Sequence, residues 1–447
     1  MTMATSQKDT SKHFDVAVVG GGVMGCTTAL FLARAGMRVA VIERGALCRG
    51  ASGVNAGTLT LHMTRAALVP YAMKAWDMWM HTDQWLAHGV MATAAPGLSI
   101  AFTEHERTLL HERAAARRAF GAEIDLIDRD AARAIEPGLN PAMLEAAFCA
   151  TDGYASSYLT GRAFHAALTQ AGAQLFEQTA ATQIDRRDGH YEIYANDQRA
   201  GGEVHPHRIR ATRLVMAGGV WLEPLLAMLD IHIPVKTLVN QLIITERLPK
   251  VMQSVLSIAN GLLSMKQFAN GTVLIGGGWQ GVGDRARGGV ETIPQNLIGN
   301  LQLAQHVLPA LKHARVTRIW LGLESETADA MPMIGALPGL PNAFVIGCAH
   351  SGYTSGPYMG KLLSQAILGQ TPEMPLFDPS RLLTDPPSES PSESPSESPS
   401  ESPSKSLSES PSLSASLSTS LSVSAASVTS SAANAPFVEE PHDSSAR

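Results

Sequence analysis

Cysteine is scarce in this sequence, and its spacing defines no site. Only four of the 447 residues are cysteines, Cys26, Cys48, Cys149 and Cys348, and no two of them form a C-x-x-C pair. Disulfide frameworks show many cysteines in a short chain, and cysteine-ligated metal sites show close pairs. We therefore expect four reduced thiols, no metal site and a cytoplasmic protein.

The sequence also lacks a concentration of positive charge and a long apolar run. Its 34 Lys and Arg and 40 Asp and Glu residues are interspersed and give a net charge of −6, whereas phosphate backbones attract a basic stripe. The first dozen residues lack the apolar core of a secretory signal. No uncharged apolar run approaches the roughly 20 residues of a membrane helix. We expect neither a nucleic-acid partner nor a transmembrane segment, while docking on a membrane-bound partner stays open.

From Asp385 onward the sequence consists largely of Ser, Pro and Glu. The unit P-S-E-S recurs with a period of four, starting at Pro387, Pro391, Pro395 and Pro399. Such a composition buries too little apolar surface to offset the entropy lost on ordering the chain. Residues 385–447 are therefore predicted to be a disordered tail. A docking or spacer role for this tail is the alternative.

The N-terminal part of the chain has the pattern of a β-α-β unit. Residues 14–19 form a short, nearly all-apolar run of the kind seen in parallel strands that are buried on both faces. Residues 27–35 have apolar side chains at helical spacing and are followed by Gly36, and residues 38–43 form a second buried strand. This order predicts the opening of a doubly wound parallel sheet.

Similar strand patterns return far along the chain. Residues 213–216 and 343–346 have the pattern of buried strands, and glycines follow at Gly218 and Gly219 in the first case and at Gly347 in the second. Residues 81–149 and 236–317, which lie between the strand-like segments, have different sequence patterns. The first region is helical around ERAAARR, and the second has alternating runs in VNQLIITE and TVLIGGGW. The predicted fold class is α/β, with an inserted α+β domain built on a mixed sheet. The nucleotide-binding domain is assigned to residues 14–80, 150–235 and 318–378, and the substrate domain to residues 81–149 and 236–317.

Three glycines between the first strand and helix form a dinucleotide-binding pattern. Gly20, Gly22 and Gly25 read G-x-G-x-x-G in the strand-to-helix context that the pattern requires. The first permits a tight turn, the second allows a pyrophosphate to approach the backbone, and the third lets the helix pack closely on the strand. Glu43 ends the second strand, where an acid accepts hydrogen bonds from ribose hydroxyls. The combination predicts a dinucleotide site.

The following residues favour FAD over NAD. Residues 43–57 are rich in glycine and small side chains, so their backbone can run along an extended ligand. E-R-G at 43–45 and G-A-S-G-V-N-A-G at 50–57 resemble the FAD-dependent amino-acid oxidase-like family, which includes glycine and sarcosine oxidases, D-amino-acid dehydrogenase, opine oxidase small subunits and hydrogen cyanide synthase subunits.

The resemblance extends over residues 14–378. D-G-Y at 152–154, A-G-G-V-W at 217–221, P-M-I-G at 332–335 and G-C-A-H-S-G-Y-T-S-G-P at 347–357 resemble family elements in the same order. The resemblance implies an FAD site. Val23 and Met24 would contact the pyrophosphate, Glu43 and Arg44 the adenosine, and Ala181 the adenine. The middle of the cofactor would contact Ala51, Ser52, Ala56, Gly57 and Thr58, and residues 348–354 would surround the flavin, with contacts from Ser351, Gly352, Tyr353 and Thr354.

The resemblance also implies a reaction. Family members oxidise an amine by passing a hydride from the α-carbon to flavin N5, and the resulting imine hydrolyses. The expected substrate is an amino acid or a secondary amine of the opine, D-amino acid, N-substituted glycine or hydroxyproline type. The electron acceptor is O2 or a partner subunit, and homo- and hetero-oligomers both stay open. No side-chain triad is expected, because the cofactor carries the chemistry.

Two other functions compete with this one. The first alternative is an FAD-holding subunit of a larger dehydrogenase that is inactive alone. The second is an unrelated flavin hydroxylase, but that function predicts a second nucleotide pattern, and no further G-x-G-x-x-G lies at a strand-to-helix junction of the sequence.

Glu324 marks a departure from the family pattern. Glycine oxidase and its close relatives have an arginine in a G-L-R-P stretch that binds the substrate carboxylate, whereas this chain reads G-L-E-S at 322–325. Opine oxidase and hydrogen cyanide synthase relatives resemble this chain, with W-x-G-x-E, here Trp320 to Glu324. Either another cation takes the carboxylate, or Glu324 pairs with the substrate's ammonium group or with a second polar arm of the substrate. We expect Glu324 to face the flavin, with a structural glutamate as the alternative.

Further substrate candidates are His350, Tyr353 and Gln241. His350 falls where glycine oxidase has a second substrate-contacting arginine, and Tyr353 lies in the same loop. Lys266, Gln267 and Trp279 flank the predicted NGTVLIGGGW hairpin and are weighed as pocket residues. Each has a structural alternative, since a buried tryptophan is more often part of a core.

Overall fold

The computed structural model describes residues 12–197, 205–283 and 289–383, so the predicted tail at 385–447 lies outside the described residues. In chain order the strands are β1 (Lys12–Val19), β2 (Val39–Ile42), β3 (Thr58–Leu59), β4 (Thr93–Ala94), β5 (Gly97–Ala101), β6 (Asp125–Asp128), β7 (Glu145–Cys149), β8 (Gly153–Tyr154), β9 (Gln174–Phe176), β10 (Thr179–Arg187), β11 (His190–Asp197), β12 (Pro206–Met216), β13 (Lys236–Arg247), β14 (Val255–Ile258), β15 (Ser264–Gln267), β16 (Thr272–Gly276), β17 (Val282–Gly283), β18 (Val290–Glu291), β19 (Val316–Glu326), β20 (Met333–Ala336) and β21 (Ala343–Gly347). The α-helices are α1 (Val23–Arg34), α2 (Ala51–Val54), α3 (Val69–Met80), α4 (Glu104–Arg118), α5 (Arg129–Ile135), α6 (Ser157–Gln170), α7 (Leu222–Ala227), α8 (Pro294–Val307) and α9 (Gly352–Ile367).

The first sheet has a parallel centre in the order β9-β2-β1-β12-β21. Val16 and Val18 of β1 point into one core, and Ala17 and Val19 point into a second core on the opposite face. Burial on both faces explains why residues 16–19 of this strand are apolar without alternation. The antiparallel strands β10, β11 and β20 extend the sheet. The predicted α/β fold with a doubly wound sheet is confirmed.

Helix α1 begins earlier than the sequence predicted. Its first residue is Val23, four positions before the predicted start at residue 27, because Gly22 in an extended conformation ends the turn and acts as the N-cap. The backbone N–H of Val23 donates to Ser52 Oγ at 3.0 Å. The helix ends at Arg34, and Gly36 follows with φ +87°, as its position in the sequence predicted.

A second, mixed sheet has the order β19-β13-β16-β15-β14-β5-β7-β6. Its apolar face packs against a core shared with α5 and α8. Strand β19 pairs with β13 from Val316 to Glu326, so the predicted limit at residue 318 falls inside this strand. The chain returns to the first sheet only at β20. The domain limits themselves stay a prediction.

The small sheet β3-β8-β4 brings two distant segments together. Thr58 and Leu59, which follow the glycine-rich stretch, pair with Tyr154 and Gly153. Asp152 is thereby placed beside the cavity described below. Within the described residues no helix is long and apolar enough to cross a membrane, and the four cysteines are buried thiols.

Candidate functional site

A cavity of about 1110 Å³ lies where the carboxyl ends of the parallel strands meet the second sheet. It is lined by the last residues of β1 and β2, by Ala217 after β12, and by residues of β13 and β14. Ligands of doubly wound proteins bind at this edge of the sheet. The volume and position of the cavity suit an extended dinucleotide.

The glycine turn at one end of the cavity leaves space for a ligand. A Cβ on Gly20, which has φ +116°, would lie 2.2 Å from the carbonyl oxygen of Ala217, and one on Gly25 would lie 2.2 Å from that of Gly20. The fold itself therefore requires these two glycines. Gly22 differs, because a Cβ there would meet only Ser52 Oγ at 3.2 Å. Its missing side chain leaves open the space in which a pyrophosphate would lie.

Glu43 is held at the end of β2 by the same turn. Its two carboxylate oxygens accept hydrogen bonds from the backbone N–H groups of Gly21 at 2.7 Å and Gly45 at 2.8 Å. Burial outweighs these bonds and raises the pKa of Glu43 above its ordinary value of 4.5. The next residue, Arg44, places its guanidinium 4.4 Å from the ring centre of Trp221. An acid and a flat apolar surface together fit the ribose and adenine of an adenosine group.

Most residues predicted to bind the cofactor line this one cavity. The exception is Gly57, where φ is +68° and a Cβ would lie 2.1 Å from the carbonyl oxygen of Ala155, so its role is to let two chain segments approach closely. The predicted residues that line the cavity are Gly20, Gly22, Val23, Met24, Gly25, Glu43, Arg44, Ala51, Ser52, Ala56, Thr58, Ala181, Ser351, Gly352, Tyr353 and Thr354. Their individual contacts with the cofactor stay predictions.

Glu324 and His350 meet in the wall of the cavity. His350 Nδ1 lies 3.0 Å from Glu324 Oε1, and Asn240 Nδ2 donates to Glu324 Oε2 at 2.6 Å. Burial opposes ionisation of Glu324, but the contacts with His350 and Asn240 and the charge of Arg65 together outweigh it and hold the pKa of Glu324 below 4.5. The Glu324 contact in turn outweighs burial and raises the pKa of His350 above 6.5. The pair presents a carboxylate whose charge is matched within the protein.

Replacing Glu324 should change the pH dependence of stability. The wild-type pair stabilises the fold fully between about pH 4.5 and 6.5, since its contribution falls as Glu324 is protonated in acid and as His350 is deprotonated above its raised pKa. We expect Glu324→Gln to lower the free energy of unfolding more at pH 5.5 than at pH 9, as measured by denaturant titration. Asp77→Asn, which removes the carboxylate of the exposed His81–Asp77 pair, is the control. Equal losses at both pH values for Glu324→Gln would contradict the pairing.

Tyr353 and Gln241 line the cavity but are already bonded to the protein. The Tyr353 hydroxyl lies 2.8 Å from Thr160 Oγ1, and its ring stacks on Trp79 with centroids 4.6 Å apart. Burial raises the pKa of Tyr353 above 10. Gln241 accepts from the N–H of Ile293 at 3.0 Å and donates to the carbonyl of Trp279. Contact of either side chain with substrate stays a prediction.

The three residues that flank the predicted hairpin, Lys266, Gln267 and Trp279, lie at or behind the wall of the cavity. Lys266 is fully buried and its Nζ is 2.5 Å from Thr58 Oγ1, and burial lowers its pKa to about 7. Gln267 Oε1 accepts from the N–H of Val251 at 2.9 Å, so it fixes a loop. The Trp279 ring packs on α8 at Gly299. In the described part of the chain, these three residues do not line the cavity, but Lys266 bonds to Thr58, which does.

A buried Asp-His-Ser group, which the sequence did not reveal, also borders the cavity. His62 Nδ1 contacts the Asp152 carboxylate, and His62 Nε2 lies 3.0 Å from Ser257 Oγ. Asp152 also accepts from the N–H of Leu61 at 2.6 Å. Gly97 makes room for the pair, because a Cβ there would overlap both side chains. The D-G-Y motif marked Asp152, but its partner His62 lies 90 residues earlier.

Comparisons with known proteins agree with this geometry. The model of the FAD dependent oxidoreductase (DAO) family matches residues 15–366. The glycine oxidase of Geobacillus kaustophilus (strain HTA426) is 27% identical over 366 residues, covering 79% of this chain and 93% of that protein. An opine oxidase subunit of Rhizobium meliloti is 25% identical, and the match covers 76% of this chain and 89% of that protein. The crystal structure of L-proline dehydrogenase from P. horikoshii is similar in fold, with a TM-score of 0.74 at 21% identity, and the match covers 83% of this chain and 98% of that one. The volume and lining of the cavity fit FAD. The chain therefore belongs to the FAD-dependent oxidoreductase family, and its cofactor is FAD.

Proposed function

We propose that this protein oxidises the C–N bond of an amino acid or a secondary amine of the opine, D-amino acid, N-substituted glycine or hydroxyproline type. FAD, when bound, supplies the acceptor that takes the hydride from the substrate α-carbon at flavin N5. The observation that carries the proposal is that the FAD-site glycines and the Glu324–His350 pair line one cavity. Similarity to glycine oxidase and to a subunit of an opine oxidase supports the same class of substrate.

The chain contributes binding and orientation to this reaction. The glycine turn, Glu43 and Arg44 would hold the adenosine and pyrophosphate parts of FAD, and residues 51–58 would follow its middle. We propose that residues 14–80, 150–235 and 318–378 form the FAD-binding domain and that residues 81–149 and 236–317 form the substrate domain. The second sheet would close the substrate side of the cavity and exclude water from it.

Glu324 would orient the amine of the substrate. Each oxygen of its carboxylate has one protein partner, His350 or Asn240, and a carboxylate has about four acceptor positions in total. An N–H of the substrate can therefore be bound without breaking the pair. Because His350 balances the charge, Glu324 need not draw a proton onto the amine, which has to be neutral to lose hydride from its α-carbon.

A second candidate function is that of an FAD-holding chain in a multi-subunit amine dehydrogenase. The relative from Rhizobium meliloti is named as one subunit of an opine oxidase, which favours this candidate. Such a chain passes electrons to a partner subunit rather than to O2. The isolated chain would then reduce an artificial acceptor, or nothing, instead of making hydrogen peroxide.

The test is an absorption spectrum of the purified chain followed by anaerobic addition of amines. The panel contains D-amino acids, N-methyl amino acids, prolines and opines. We expect oxidised flavin absorbance that at least one class of amine bleaches, and peroxide after readmission of air for an oxidase. Bleaching without peroxide favours the second candidate. A flavin that no amine bleaches would contradict the proposed reaction.

Lys266 should influence the flavin through its charge. Its Nζ contacts Thr58, which would lie along the middle of FAD, and a nearby cation stabilises the negative charge that reduction adds to the flavin. We expect Lys266→Met to lower the two-electron reduction potential at pH 6 by tens of millivolts, where about 30 mV corresponds to 1.4 kcal/mol.

The pH dependence provides the control for this effect. Since burial lowers the pKa of Lys266 to about 7, the difference between Lys266→Met and wild type should shrink as the pH rises through 7. The exposed Lys250→Met is the matched variant and should leave the potential unchanged. A wild-type potential in Lys266→Met at pH 6 would show that Lys266 is electrostatically remote from the flavin.

A further inference from the structure

The cavity has a branch between helix α4 and the second sheet. Leu110 and Ala114 of α4 line it and also belong to the core between this helix and the sheet. On the sheet side the branch is lined by Ser99 and Ser257, which are register partners on the neighbouring strands β5 and β14. The branch is thus built from two rigid elements and has a polar floor.

Two arginines of α4, one turn apart, also line this branch. Arg113 donates to the carbonyl of Ala259, and Arg117 Nε donates to the carbonyl of Thr64 at 2.8 Å. Arg113 is exposed at the solvent side, and Arg117 is half-buried farther along the helix. Among the residues that the structure describes, neither guanidinium forms an ion pair with a carboxylate.

The positive charges of Arg113 and Arg117 would be stabilised by a bound anion. Burial, together with the like charge of Arg113, lowers the pKa of Arg117 to about 10, so it stays protonated at neutral pH. Asp152 is the acid whose charge opposes this shift, but its oxygens already hold His62 and the N–H of Leu61. Two cations one helical turn apart repel each other. A carboxylate bound between them would remove that repulsion and match the planar donors of arginine.

We propose that this branch binds the carboxylate of the substrate, with Arg117 as the main anchor and Arg113 at the mouth. The inference rests on the proposed function and deepens it. Glycine oxidase has a carboxylate-binding arginine at the position where this chain has Glu324. The two arginines of α4 would supply the missing positive charge. The substrate would then span the cavity, with its amine at Glu324 and its carboxylate toward α4, which favours substrates with an extended carboxylate-bearing arm.

The test uses ligands that cannot be oxidised. Calorimetric titration of the FAD-loaded chain compares the straight-chain carboxylates from butyrate to octanoate with the neutral amide of each. We expect the wild type to bind at least one carboxylate about 10- to 100-fold more tightly than its amide, as for hydrogen bonds to a charged group. The preference should weaken in high salt. A wild type with no such preference at any length overturns the inference without any variant.

Three variants then locate the site. Arg117→Gln should abolish the preference, and Arg113→Gln should reduce it. Arg118→Gln is the matched control, because Arg118 is the next residue of α4, is exposed, donates to the Ile124 carbonyl and does not line the cavity. A preference that survives Arg117→Gln and Arg113→Gln overturns the inference. Should Arg117→Gln not fold, Arg113→Gln and the wild-type comparison still decide.

Kinetics separate this inference from the proposed function. With an amine that bleaches the flavin, we expect Arg117→Gln to raise KM about 10- to 100-fold and to change kcat less. Unchanged KM in a bleachable enzyme overturns the carboxylate site alone. Carboxylate binding without bleaching by any amine overturns the proposed reaction and leaves the anion site standing.

Discussion

Gly22→Val is expected to weaken FAD binding by at least about 100-fold, which corresponds to roughly 3 kcal/mol. The conformation at Gly22, with φ −75° and ψ 175°, is one that any residue adopts, and a Cβ there meets only Ser52 Oγ. The apoprotein should therefore keep its fold. The added side chain occupies the space that the pyrophosphate needs, so the purified variant should be colourless.

Fluorescence titration of the apoprotein with FAD measures this loss, and circular dichroism reports the fold. Gly89→Ala is the matched control, because a Cβ at Gly89 meets nothing within 4 Å and the residue lies outside the cavity lining. We expect its FAD affinity to equal that of the wild type. Normal FAD affinity in a folded Gly22→Val variant would place the cofactor elsewhere.

Asp152→Ala should cost about 3–5 kcal/mol of unfolding free energy. Asp152 is fully buried, and its removal leaves the His62 ring nitrogen and the N–H of Leu61 buried without this partner. His62 also borders the cavity, so a shifted ring should disturb substrate binding as well.

Unfolding of the wild-type and Asp152→Ala apoproteins in guanidinium chloride gives the difference in their free energies of unfolding without a contribution from bound FAD. Glu104→Gln, which breaks the exposed Arg107–Glu104 pair on α4, is the control and should cost less than about 1 kcal/mol. A similarly small loss for Asp152→Ala would mean that the buried pair contributes nothing to the fold.

The parts of the fold and site that the sequence predicts are local ones. The glycine turn, the acid at Glu43 and the apolar runs around it are set by residues close together in the chain, and each has a backbone or burial reason. The strand predicted at residues 343–346 also appears in the sheet, because a strand buried on both faces is apolar throughout. The predicted start of α1 was wrong by four residues, since Gly22 both ends the turn and begins the helix.

The parts that the sequence does not predict depend on long-range packing. His62 and Asp152 have ordinary neighbours in the sequence, and only the pairing of β3 with β8 brings their segments together. Arg113 and Arg117 belong to an alanine- and arginine-rich stretch that resembles any solvated helix. Their position on the cavity follows from how α4 lies on the second sheet. A family pattern marked Glu324, but its charge balance with His350 required the fold.

The central claim is that this cavity holds FAD against an amine whose α-hydrogen leaves as hydride. Its most direct test is the rate of anaerobic flavin bleaching in a stopped-flow instrument, with a substrate carrying hydrogen or deuterium at the α-carbon. The account predicts bleaching that is several-fold slower with the deuterated amine. A bound flavin that keeps its oxidised spectrum with every amine, deuterated or not, would contradict it.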